Sequence, residues 1–122
     1  MKLKIAVLPG DGIGPEVTNQ SLKVLNCIAD KYNHKVELTE GLVGAIAIDE
    51  YNDPYPDSTH KLCEDSDAIL FGAIGDPKYD NNPKAKIRPE QGLLKMRKKL
   101  GLFANLRPTI IFESLLDMSP IK

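Results

Sequence analysis

Apolar and polar residues are grouped along the chain in segments that suit strands and helices in turn. Short apolar runs predict buried strands over residues 3–8, 36–40 and 67–73. Apolar residues at helical spacing predict helices over residues 15–32 and 56–65, between these strands. Because strands that alternate with helices form parallel sheets, the pattern predicts an α/β fold with a mostly parallel sheet flanked by helices.

The first predicted helix has an apolar stripe that we expect to face the sheet. Its members are Val17, Ser21, Val24, Leu25, Ile28 and Tyr32. Cys27 and Cys63 each fall within a predicted helix, and we interpret them as reduced core thiols of a cytoplasmic protein. His34 and His60 have no ligand-like neighbours in the sequence and are interpreted as surface residues.

A further helix is predicted after a long loop over residues 75–88. Pro89 and Glu90 suit its first turn, and Gly101 suits the position just after its end. On this helix Glu90, Leu93 and Arg97 are spaced so that they share one face. That face therefore combines an acid, an apolar patch and a guanidinium group.

The residues that follow, 102–107, favour a strand that delivers a second guanidinium from Arg107. Arg97 and Arg107 beside Leu93 and Leu94 would suit a small molecule with two carboxylates and a hydrocarbon branch. The alternative interpretation is that both arginines are solvated surface charges.

Composition and charge narrow the classes of partner. The 122 residues are 42% hydrophobic and 27% charged, as in ordinary globular proteins, and no apolar run is long enough to cross a membrane. Residues 78–107 hold nine basic and two acidic residues, a local charge of +7 that favours anions. Because Tyr79 and Phe103 are the only aromatic residues there, base stacking is weakly supported, and we expect no nucleic acid partner.

A glycine motif, Gly10-Asp-Gly-Ile-Gly14, follows the first strand and opens the first helix. Such a motif could be a Rossmann phosphate loop or a tight turn that binds nothing. The Rossmann interpretation is disfavoured because the third glycine comes one residue early and Pro15 lacks the N–H that a pyrophosphate would use. Asp11 and Glu16 would also repel phosphates at this place.

Three stretches together carry a specific resemblance: residues 6–17, residues 75–80 and residues 86–108. In their order and spacing they resemble the isocitrate/isopropylmalate dehydrogenase family of β-decarboxylating dehydrogenases, over essentially the whole chain. The resemblance implies the N-terminal part of that family's fold, which is not a Rossmann fold. Residues 1–100 would belong to the cofactor-side domain and residues 101–122 to the truncated start of a second domain.

The resemblance implies NAD-dependent oxidative decarboxylation of 3-isopropylmalate to 2-oxo-4-methylpentanoate, a step of leucine biosynthesis, by a longer protein. Substrate contacts would come from Leu93, Leu94, Arg97 and Arg107. Family members that act on tartrate, malate or homoisocitrate remain alternatives, as does a non-catalytic anion-binding module.

The resemblance also implies a set of cofactor-binding residues. NAD would be bordered by Ile13, Gly75, Asp76, Pro77, Lys78, Tyr79, Arg88, Pro89 and Glu90. Asp76 and Tyr79 stand where the family usually has Gly and Trp. The catalytic Tyr and Lys and the Asp ligands of Mg²⁺ or Mn²⁺ would lie outside these residues, so we expect this chain alone to be inactive. A homodimer without membrane partners is expected for the full-length protein.

Overall fold

A parallel β-sheet lies at the centre of the computed structural model, which describes residues 1–80, 82 and 85–118. Within these residues its strands are β1 (Lys2–Gly10), β2 (Lys35–Glu40) and β3 (Ala68–Ala73), in the order β2-β1-β3. Ile5 of the central strand pairs with Leu38 on one side and with Ala68 on the other. The predicted α/β fold with a parallel sheet is confirmed.

Helices follow or connect the strands. Their bounds are α1 (Gly14–Lys31), α2 (Ala45–Tyr51), α3 (Asp57–Glu64), α4 (Pro77–Asp80) and α5 (Pro89–Lys99), and a 3₁₀ helix covers Glu113–Met118. The single turn of α4 lies in a segment that the sequence predicted to be loop throughout. In the part of the chain that the structure describes, no helix is long and apolar enough to cross a membrane.

The face of α1 that meets the sheet is made of small residues, so most of the predicted apolar stripe is wrong. Gly14, Thr18 and Ala29 are buried, whereas Val17 and Val24 are exposed. The reason is the close approach of helix and sheet: a Cβ added at Gly14 would lie 2.1 Å from the Pro9 carbonyl oxygen. Larger side chains therefore point away from the sheet.

The core lies between the sheet, α3 and α5. Its buried members are Ala6, Leu8, Val43, Tyr55, Cys63 and Met96. The Tyr55 hydroxyl lies 3.2 Å from Nδ1 of His60, which is half-buried, so His60 is not the plain surface residue expected. Cys63 is a buried free thiol as predicted, but Cys27 is exposed because it lies on the outward side of α1.

The chain after α5 does not form the predicted strand over residues 102–107. Gly101 ends the helix with a φ of +64°, as predicted, and the Leu102 N–H donates to the Arg97 carbonyl at 3.0 Å. Residues 101–118 are all exposed, and Phe103 retains 99% of its accessible surface. An extended segment becomes a strand only by pairing, and none of the described strands lies beside it. The division at residue 100 stays a prediction.

Candidate functional site

The glycine turn, residues 10–14, connects β1 to α1 and packs against the carboxyl end of β3. Gly10 has a φ of +74°, and a Cβ there would lie 1.9 Å from the Ala73 carbonyl oxygen. Gly14 is equally confined against Pro9. Both positions therefore require glycine for reasons of backbone contact, independent of any ligand.

Asp11, within this turn, is buried and its carboxylate accepts three backbone hydrogen bonds. The donors are the N–H groups of Ala45 at 2.7 Å, Ile46 at 3.1 Å and Gly75 at 3.1 Å. The Asp11 N–H in turn donates to the Ala73 carbonyl at 2.7 Å. The carboxylate thus occupies the amides at the start of α2, an arrangement that suits a structural turn and leaves no Rossmann-type phosphate cradle there.

Three of the predicted cofactor residues, Ile13, Gly75 and Glu90, lie near the carboxyl ends of β1 and β3. Ile13 in the glycine turn is 58% exposed. A Cβ added at its neighbour Gly12 would lie 3.5 Å from the Gly75 carbonyl oxygen, and one added at Gly75 would lie 3.7 Å from Oε1 of Glu90. Ligands of open parallel sheets bind at this end of the strands, so the placement suits a ligand site.

The loop segment that begins at Gly75 is folded by Asp76. Oδ1 of Asp76 accepts the Lys78 N–H at 2.9 Å, and its carbonyl accepts the Tyr79 N–H at 2.9 Å, which starts α4 at Pro77. Asp76 does not have a positive φ, so its backbone does not require the glycine that the resemblance implies at this place.

Lys78 and Tyr79 are turned toward α2. Nζ of Lys78 lies 2.5 Å from Oδ2 of Asp49, and the Tyr79 hydroxyl donates to Oδ1 of Asp49 at 3.3 Å. The hydrogen bond from Lys78 lowers the pKa of Asp49, and the same bond raises the pKa of Lys78. Asp49 could not be predicted from the sequence, because it contacts Lys78 across 29 residues of chain.

Two further predicted cofactor residues serve the start of α5. The Arg88 N–H donates to Oε1 of Gln91 at 3.1 Å, which caps the helix. Pro89 is fully buried. Arg88 is half-buried and Glu90 is exposed, so these two remain available to a ligand while Pro89 packs in the interior.

Helix α5 is held on one side by two ion pairs to aspartates near α3. Lys95 pairs with Asp53 at 2.5 Å and Lys99 with Asp57 at 2.7 Å. Partial burial raises the pKa of Asp53, but hydrogen bonds from Lys95 and from the Tyr55 N–H outweigh this and lower it. The Lys99 hydrogen bond lowers the pKa of Asp57.

These pairs reduce the charge of the basic stretch over residues 78–107. Lys78, Lys95 and Lys99 each meet an aspartate from outside the stretch. Lys84, also counted in the stretch, lies outside the described residues. The surface therefore offers less uncompensated positive charge to a polyanion than the sequence indicated.

The opposite side of α5 borders a cavity of about 380 Å³, here called the α5 cavity. It is lined by Ile69, Phe71, Leu93, Met96, Arg97, Leu102, Phe103, Ala104 and Asn105. Leu93 and Arg97 are brought together here, one turn apart on the same helix, as the spacing predicted. The cavity combines an apolar wall with a guanidinium group.

Two predicted substrate residues are not among those that line the α5 cavity. Leu94 is 63% exposed, and Arg107 lies in the exposed chain after α5. The convergence of Arg97 and Arg107 on one diacid stays a prediction. The described residues contain no group of three or more His, Cys, Asp or Glu side chains that could hold a metal ion. This statement does not cover the carboxylate of Asp80, because its side chain lies outside the part that the structure describes.

Comparison with known proteins gives consistent matches. The family model for isocitrate/isopropylmalate dehydrogenase matches residues 4–122. The chain is 54% identical over 122 residues to 3-isopropylmalate dehydrogenase of Bacteroides fragilis and 55% identical to that of Bacillus subtilis. These matches cover all of this chain but 35% and 33% of the relatives, so the chain spans about a third of their length.

A solved structure agrees with the fold. The apo form of a β-decarboxylating dehydrogenase from Thermococcus kodakarensis is similar with a TM-score of 0.63 and 31% sequence identity. The match covers 83% of this chain and 27% of that protein.

Proposed function

This chain belongs to the isocitrate/isopropylmalate dehydrogenase family, and from that premise we propose that the whole protein oxidises 3-isopropylmalate. NAD would supply the hydride acceptor, and the oxidised acid would then lose carbon dioxide to give 2-oxo-4-methylpentanoate, a step of leucine biosynthesis. Relatives with this name are 54% and 55% identical over the full chain, which supports this substrate over tartrate, malate or homoisocitrate.

The observation that carries the proposal is the joint placement of Leu93 and Arg97 in the α5 cavity. The guanidinium of Arg97 can bind one carboxylate with two parallel hydrogen bonds. Leu93, with the side chains of β3 beside it, offers an apolar wall to the branched hydrocarbon. Leu94, on the exposed side of α5, and Arg107 complete the proposed substrate contacts. Arg107 would reach the ligand when the exposed chain after α5 closes on it.

NAD would lie beside Ile13, Gly75 and Glu90, at the carboxyl ends of β1 and β3. The exposed Ile13 offers an apolar contact to the cofactor. Gly12 and Gly75 have no side chains, so the cofactor can come close to the backbone there. The Glu90 carboxylate, close to Gly75, favours the cationic oxidised nicotinamide over the neutral reduced form. Asp76, Pro77, Lys78, Tyr79 and Arg88 complete the proposed cofactor set, whereas Pro89 is fully buried and would act only by supporting the start of α5.

The remaining chemistry is proposed for residues outside this chain. A divalent ion, Mg²⁺ or Mn²⁺, would polarise the substrate oxygens when bound. The catalytic Tyr and Lys, the Asp ligands and the homodimer contacts belong to the same part of the proposal. Cytoplasmic location also stays a proposal, supported by the two free cysteines.

Steady-state NAD reduction by the whole protein tests the proposal, with 3-isopropylmalate, malate, tartrate, homoisocitrate and isocitrate as substrates. Leu93→Ser should lower kcat/KM for 3-isopropylmalate about tenfold more than for malate, because Leu93 supplies about 1.4 kcal/mol of the roughly 2 kcal/mol that burial of the branch contributes. Lys98→Ala, at an exposed position of the same helix, is the control and should change neither value. Equal losses for both substrates would contradict the assignment of Leu93.

The chain alone provides a second test. We expect the purified 122-residue chain to form no NADH from NAD and 3-isopropylmalate, because the proposed base and metal ligands are elsewhere. Turnover by this chain would contradict that division of the chemistry.

A further inference from the structure

We propose that Asp11 is a positioning residue that holds the segment from Gly75 to Tyr79 against α2, in the place where that segment borders the dinucleotide. The inference rests on the proposed function, since it assumes that this segment meets NAD. Asp11 itself need not touch the cofactor. Its effect would be transmitted through the backbone of Gly75.

The carboxylate of Asp11 joins the start of α2 to the backbone of Gly75. One oxygen, Oδ2, accepts N–H groups from both Ala45 and Gly75, and Oδ1 accepts the N–H of Ile46. Asp11 is only 6% exposed, so its carboxylate is largely shielded from water. The bond to Ala45 is buried, and the bonds to Ile46 and Gly75 are half-buried. Gly75 has a φ of +138°, a conformation that side-chain-bearing residues rarely adopt. A specific bond at its N–H therefore fixes a backbone that would otherwise have wide freedom.

Gly44 lies beside the Asp11 carboxylate and leaves the space that the carboxylate occupies. Gly44, just before α2, has a φ of +86°, and a Cβ added there would lie 2.2 Å from Oδ2 of Asp11. Only a glycine at this position lets the carboxylate reach the first amides of α2. Two separate features of the chain, Asp11 and Gly44, thus serve the same contact.

Helix α2 holds the far end of the same segment. Asp49, one turn after Ala45, binds Lys78 and the Tyr79 hydroxyl. The segment is therefore attached to α2 at both ends, through Asp11 at Gly75 and through Asp49 at Lys78 and Tyr79. If the first attachment is lost, Gly75 and the neighbouring Glu90 are free to separate, and the proposed nicotinamide contact should weaken.

The simpler alternative is that Asp11 only stabilises the start of α2. The two interpretations differ in what happens at Gly75. A structural role alone would change the free energy of unfolding but leave the KM for NAD in folded protein unaltered. A positioning role would raise the KM for NAD in proportion to the loss of the Gly75 bond.

Two variants separate them. Asp11→Ala removes both acceptor oxygens and with them all three hydrogen bonds. Asp11→Asn can keep its amide oxygen at the Oδ2 place, which preserves the Gly75 bond in weaker, uncharged form. Asp67→Asn is the control: its carboxylate also accepts a backbone N–H, from Lys4 at 2.8 Å, but it is exposed and lies at the opposite end of the sheet.

Amide hydrogen exchange in the ¹⁵N-labelled 122-residue chain measures the bond, and kinetics of the whole protein measure its consequence. We expect Gly75 exchange and the KM for NAD to rise together, about tenfold in Asp11→Ala and about threefold in Asp11→Asn, with little change in the KM for 3-isopropylmalate. Asp67→Asn should match the wild type in both measurements.

Each outcome decides the question. Unchanged Gly75 exchange in a folded Asp11 variant, or faster exchange with an unchanged KM for NAD, would overturn the proposal. If Asp11→Ala does not fold, Asp11→Asn against Asp67→Asn decides alone. If the wild-type whole protein shows no NAD-dependent turnover, the proposed function fails and the cofactor part of this inference with it, while Gly75 exchange still reports whether Asp11 holds the loop.

Discussion

Replacement of Gly92 by alanine tests how closely α5 is fitted against the loop before α3. A Cβ at this position would lie 2.5 Å from the carbonyl oxygen of Pro54 and 3.0 Å from its carbonyl carbon. To reach an ordinary contact of 3.4 Å, helix and loop would have to separate by about 0.9 Å. The Pro54 oxygen cannot move away cheaply, because it also accepts the Gly44 N–H at 2.9 Å.

The expected sign follows from two opposing effects. Alanine favours a helix over glycine by about 1 kcal/mol. Overpacking costs about 1–3 kcal/mol, and the strained bond from Gly44 adds about 1 kcal/mol. The variant should therefore be less stable by about 1–3 kcal/mol, which lowers the thermal midpoint by roughly 4–15 °C in a domain of this size.

Urea titration followed by far-UV circular dichroism measures the free energy of unfolding of wild type and variant. Gly101→Ala is the control, because Gly101 has a φ of +64° but no neighbour within 4 Å. Its cost should come from backbone conformation alone, about 1 kcal/mol. A Gly92→Ala variant as stable as the wild type would show that α5 does not pack against Pro54 closely enough to exclude a methyl group.

Three further results are expected. The pKa of Asp53 is lowered in the folded protein, so its pairing with Lys95 stabilises the fold fully above about pH 5, and this stabilisation is lost as the pH falls through the folded pKa. The Lys95→Met variant lacks the pair, so its urea midpoint should fall less than that of the wild type between pH 6 and pH 3. Burial raises the pKa of the Cys63 thiol and shields it from reagents. A disulfide reagent at pH 8 should therefore modify the exposed Cys27 at once and Cys63 only on unfolding. Fast reaction of both thiols in the folded protein would contradict the burial of Cys63. Asn52 has a φ of +53° at the end of α2; Asn52→Ala should destabilise by about 1 kcal/mol and Asn52→Gly should not, as measured by thermal unfolding.

The strands and most helices could be predicted because their signals are local. Apolar runs marked β1 and β3, and Pro89 with Gly101 marked the ends of α5 almost to the residue. The predicted substrate pair on α5, Leu93 and Arg97, shares a cavity because helical spacing alone places both on one face.

What could not be predicted depends on contacts between distant segments. The buried face of α1 is made of Gly14, Thr18 and Ala29 because the helix lies close to Gly72 of β3, where a Cβ would come within 2.6 Å of Oγ1 of Thr18. Hydropathy favours the larger residues and so selects the wrong face. The charge of Asp11 could be recognised in the sequence, but its three amide partners could not, because they are 34 to 64 residues away.

The way α5 is anchored determines which changes of chain length the site can accept. Asp53 and Asp57 are four residues apart, and so are their partners Lys95 and Lys99. A one-residue insertion after Gly92 would rotate the rest of the helix by about 100°, which would part both ion pairs and turn Arg97 out of its cavity at once. Point substitutions on the outer face of α5 leave that alignment intact. Over evolutionary time this helix should therefore vary in composition while keeping its length, and gains or losses of residues should collect in the loop before it.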